Sequence, residues 1–144
     1  MMDTSKKYIE MCEKAEEIQA ERILGRCEFG DLFYLEDGFA HGGKFRFIGS
    51  YDGYETDHGY DIIDKTLIRR SFWLPRQDQL QEMAAKMPTW TDTRPINVLC
   101  RFWNWWNSSD WNLCSDNTTL EQLWLAFVMK EKYNKTWSGK EWIK

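Results

Sequence analysis

Two pairs of acids stand where carboxylates could hold a cation: Glu10-x-x-Glu13 and, after fourteen intervening residues, Glu28-x-x-Asp31. On a helix, i, i+3 spacing puts both carboxylates on one face. Two such faces turned toward each other can hold Mg²⁺ against a phosphate chain. The first pair lies in a helix-like run. The second contains Gly30 and enters the strand-like Asp31-Leu-Phe-Tyr-Leu-Glu36, so its two acids are not expected to align. Asp52, Glu55, Asp57, His58, Asp61 and Asp64 also offer ligands for a hard cation. They lack the alternating acids and following Gly of an EF-hand loop, and read as a solvated loop.

Tryptophan supplies the other candidate chemistry. Nine of the 144 residues are Trp, four of them between Trp103 and Trp111. Flat indole faces stack on bases or sugars and anchor protein interfaces. Helical spacing groups Phe102, Trp103 and Trp106 on one face, read as core, and turns Trp105 elsewhere. Trp105 and Trp111 are therefore candidate contact residues, with Trp137 and Trp142 in the tail. Arg76 and Gln77 complete the set, at a helix start whose amides are unpaired and positively polarised. Asp78 is expected to face those amides itself.

Other reaction types lack their residues. There is no Gly-x-Ser-x-Gly, no Gly-x-Gly-x-x-Gly, and Gly42-Gly43-Lys44 lacks both the first Gly and the Ser/Thr of a phosphate loop. The two histidines, His41 and His58, sit in Gly-rich stretches without a context that activates a nucleophile. Cys12, Cys27, Cys100 and Cys114 contain no Cys-x-x-Cys pair, so a zinc site is disfavoured and they read as reduced, small hydrophobes. No cofactor is implied.

Hydrophobic residues make up 42% of a 17.3 kDa chain, enough for a core without staples. The net charge of −4 is unevenly placed: residues 28–64 carry −7, residues 65–87 carry +3 and residues 117–144 carry +2. No extended basic stripe results, which disfavours phosphate-backbone binding. That alternative would draw on Lys65, Arg69, Arg70, Arg76 and the C-terminal lysines. No apolar run approaches the ~20 residues of a membrane span, and no signal-like h-region opens the chain. A cytoplasmic location is expected, where the Asn-x-Ser/Thr triplets at Asn107, Asn117 and Asn134 carry no glycans.

The elements that must position these residues follow from periodicity. Asp3, Thr4 or Ser5 caps a helix to about Glu21, with Tyr8, Ile9, Cys12, Ala15 and Ile18 as its stripe. Strands are expected over Asp31–Glu36, Lys44–Ser50 and Leu67–Leu74. Pro75 opens a helix ended by Pro88, and Ile96–Asn107 forms another. A last helix starts at Thr118, boxed by Glu121, with Leu120, Leu123, Trp124, Phe127 and Val128 facing the core. Ser138-Gly139, between Trp137 and Trp142, makes the tail a small hairpin or a turn. The order is a helix, three strands, then three helices. It predicts a single α+β domain over residues 1–144, with a small antiparallel sheet of about three strands.

Two resemblances add to this. The Glu-x-x-Glu and Glu-x-x-Asp order is similar to that of the all-α nucleoside triphosphate pyrophosphohydrolases. It implies Mg²⁺-dependent hydrolysis as an alternative, with Glu10, Glu13, Glu28 and Asp31 as metal ligands. Separately, Tyr8–Gln19, Trp73–Met83 and Leu120–Tyr133 with Trp137 and Trp142 resemble small uncharacterised proteins of phages and prophages of Gram-positive bacteria. Those proteins often carry Gly where this chain has Asn134. The resemblance implies an accessory role in the bacterial cytoplasm. Taken together, the sequence points to a non-enzymatic domain that binds another protein, a second copy of itself included, through exposed aromatic residues. Nucleic acid and membrane are not expected partners.

Overall fold

The computed structural model describes residues 3–23, 31–37, 45–50, 71–87, 93–108 and 118–144. Helices and antiparallel strands together make it an α+β protein. The chain divides into two compact units, one of Met1–Ala15 with Arg76–Lys144 and one of Glu16–Pro75.

The second unit holds helix α2 (Glu16–Ile23) and strands β1 (Leu32–Asp37), β2 (Phe45–Ser50) and β3 (Ser71–Leu74). The strand order is β2-β1-β3, antiparallel throughout, as consecutive strands without a crossover helix require. Tyr34 is paired with Ile48 on one side and Phe72 on the other. The expected third strand from Leu67 is seen over Ser71–Leu74; residues 67–70 lie outside the described residues.

The first unit is built around helix α5 (Leu120–Tyr133), in which every residue from Gln122 to Met129 is buried. A helix apolar on one face only could not do this. Neighbours cover it on several sides: α1 (Lys6–Glu13), α3 (Gln77–Ala85), α4 (Pro95–Ser108) and β4 (Thr136–Trp137). The tail forms the expected hairpin, β4 pairing with β5 (Trp142–Ile143) around Gly139 at φ 97°.

Three expected boundaries move. The single N-terminal helix is two helices. Lys14 ends α1 at φ −87° and ψ −3°, and the Ala15 N–H bonds to the Cys12 carbonyl at 3.2 Å. No Gly or Pro causes the break; α1 packs with α5 in the first unit and α2 with β3 in the second. The cap of α5 is Thr119 rather than Thr118: its hydroxyl accepts from the Gln122 N–H at 3.3 Å. Leu120 is consequently 53% exposed at the helix start, not in the core. Pro75 stands just before the N-cap Arg76, outside the helix, and the Gln79 side chain accepts from the Arg76 N–H at 2.9 Å.

A candidate protein-interaction face

Helix α4 carries the residues that matter, and its orientation differs from the expected one. Val98 is 3% exposed and anchors the helix inward. One turn on, Phe102 stacks on Trp124 of α5, ring centroids 4.1 Å apart and planes within 14°. A further turn on, Trp105 packs against Phe127 at 5.3 Å. The core stripe is therefore Val98–Phe102–Trp105, spaced i, i+4, i+7. Trp105, expected on the surface, is half-buried in this aromatic cluster. Trp103, expected in the core, is 63% exposed. The helix is apolar on more than one face, so periodicity alone left its rotation open.

The outer face is the consequence. Ile96, Leu99 and Trp103, spaced i, i+3, i+7, are 60%, 48% and 63% exposed. Beside them opens a cavity of about 280 Å³, lined from α3 by Glu82 and Ala85, from α4 by Pro95, Val98 and Leu99, and floored by Trp124. Leu99 thus belongs to both the exposed stripe and the cavity rim. Chemically the face is an apolar ridge next to an apolar hollow, with Glu82 at the edge paired to Lys86.

The other candidate residues are placed as follows. Trp137 and Trp142 are buried, at 4% and 9% exposure, which corrects their assignment to the surface. Their rings meet at 5.0 Å, and the Trp142 indole N–H donates to the Met11 carbonyl at 3.0 Å. The hairpin folds both rings inward because each is the inner residue of its short strand. Arg76 and Gln77 are half-buried. Arg76 forms an ion pair with Asp78, Nε to Oδ1 3.1 Å, and Asp78 stands in the first turn of α3. Trp111, Glu28, the acidic cluster Asp52–Asp64, both histidines, Cys27, Cys114, Lys65, Arg69 and Arg70 lie outside the described residues.

Of the acids, Glu10 is paired with Lys6 at 3.8 Å along α1, Glu13 is exposed, and Asp31 is fully buried just before β1. Among the described residues no group of three or more His, Cys, Asp or Glu could hold a metal ion. Cys12 and Tyr8 share the core of the first unit. Burial pushes both the thiol and the phenol well above their ordinary pKa values, leaving Cys12 an inert thiol. Cys12 and Cys100 are both reduced thiols, and Cys100 is exposed on α4.

A second polar cluster joins the starts of α1 and α5. Asp3 accepts from the Ser5 N–H at 2.8 Å, the Thr119 hydroxyl at 2.6 Å and the Gln122 side-chain amide at 2.7 Å. Burial alone would raise the Asp3 pKa. The hydrogen bonds from Thr119, Ser5 and Gln122 outweigh it and hold the carboxyl below its ordinary value. This cluster caps two helices. Among the described residues no helix is long and apolar enough to cross a membrane. Compared with known protein families, curated proteins and solved structures, the chain matches none.

Proposed function

We propose that the protein is a non-enzymatic binding domain whose partner is another protein, in a phage or prophage accessory role within the bacterial cytoplasm. The observation that carries this reading is the row Ile96, Leu99 and Trp103, all large, apolar and exposed on one side of α4. Contiguous apolar surface of this kind marks interaction sites, because water gains when it is covered. Tryptophan is favoured at such centres: it removes a large area from water while fixing only two side-chain torsions. The adjoining hollow, floored by Trp124, can receive an apolar side chain of the partner.

The test is co-purification with the tagged chain from host cells during phage growth, in wild-type and Trp103→Glu forms. The expected result is a discrete partner retained by the wild type and lost from the variant, with circular dichroism unchanged. Identical partner profiles overturn the reading. So does magnesium-dependent nucleoside triphosphate hydrolysis that disappears in Glu10→Gln, which would restore the enzymatic alternative.

A further inference from the structure

We draw no further inference here: the strongest candidate, the apolar cavity between α3 and α4 floored by Trp124, adjoins the exposed row of α4 on which the proposed function rests, and nothing in the structure shows what occupies it.

Discussion

The side-chain amide of Gln19 grips both backbone groups of Trp73. Its Oε1 accepts from the Trp73 N–H at 2.8 Å, and its Nε2 donates to the Trp73 carbonyl at 3.0 Å. Strand β3 lies at the edge of the three-stranded order, where an unpaired backbone would invite a foreign strand. Gln19 supplies from α2 what a fourth strand would supply there. Trp73 itself is 1% exposed, so these backbone groups have little access to water as a substitute.

Gln19→Ala is therefore expected to destabilise the chain by about 1–3 kcal/mol, the cost of leaving buried backbone groups unmet. Urea unfolding gives the number. Faster hydrogen exchange at the Trp73 amide identifies the cause, and unchanged exchange there would show that the grip is not what Gln19 contributes.

Asp3 provides a pH signature. Its folded-state pKa is held below that of the unfolded chain, so its contribution is complete above the unfolded value, about 4. That contribution is lost as pH falls through the folded value. At pH 7, Asp3→Asn is expected to be less stable than the wild type by about 1–3 kcal/mol, since the charged acceptor is gone. Below pH ~4 the gap should close. A gap constant from pH 7 to pH 3 (by denaturant titration) would remove Asp3 as the titrating group.

Much of this was legible in residue types, and the failures have physical causes. The three strands, their antiparallel pairing and the last helix follow from short-range alternation and capping, which depend on neighbours in sequence. Ser5, one of three candidates, does cap α1, whereas the cap of α5 slipped by one residue. Thr118 and Thr119 are chemically equivalent candidates, and only the reach of Asp3 across the unit makes Thr119 the cap. The rotation of α4 was illegible for the same reason. Leu99, Phe102, Trp103 and Trp106 form as good a stripe as Val98, Phe102 and Trp105, and the choice is made by Trp124 and Phe127 of α5. The indoles of Trp137 and Trp142 looked surplus to the core because a two-strand hairpin gives no periodicity from which to read an inner face.

The one-residue slip is directly testable. Thr119→Ala is expected to cost about 1–2 kcal/mol through the lost cap, whereas Thr118→Ala should stay within about 0.5 kcal/mol. Thermal melts of the two variants separate them; equal losses would argue for a shared cap.

Asn134 ends α5 in the left-handed region at φ 54°. A Cβ is disfavoured there by about 1–2 kcal/mol, less for Asn, whose short polar side chain tolerates the conformation. Asn134→Gly is expected to be neutral or to raise the melting temperature by a few degrees, and Asn134→Ala to lower it. The reverse order would mean that the exposed 3.1 Å hydrogen bond from Lys130 to the Asn134 side chain outweighs backbone strain.

Trp103 and Trp105 make the sharpest pair, two positions apart on α4 with opposite surroundings. Trp105→Ala empties a half-buried place against Phe102 and Phe127, for an expected loss of about 2–3 kcal/mol, below the 3–5 of a fully buried Trp. Trp103→Ala removes a ring that is 63% exposed and should change monomer stability by about 0.5 kcal/mol or less. Chemical unfolding at low protein concentration, where association does not contribute, compares them cleanly. Binding should show the opposite ranking: the substitution that leaves the fold untouched is the one that should abolish association. If Trp103→Ala proved the more destabilising of the two, the outward face of α4 would be assigned to the wrong side of the helix, and the docking reading would fall with it.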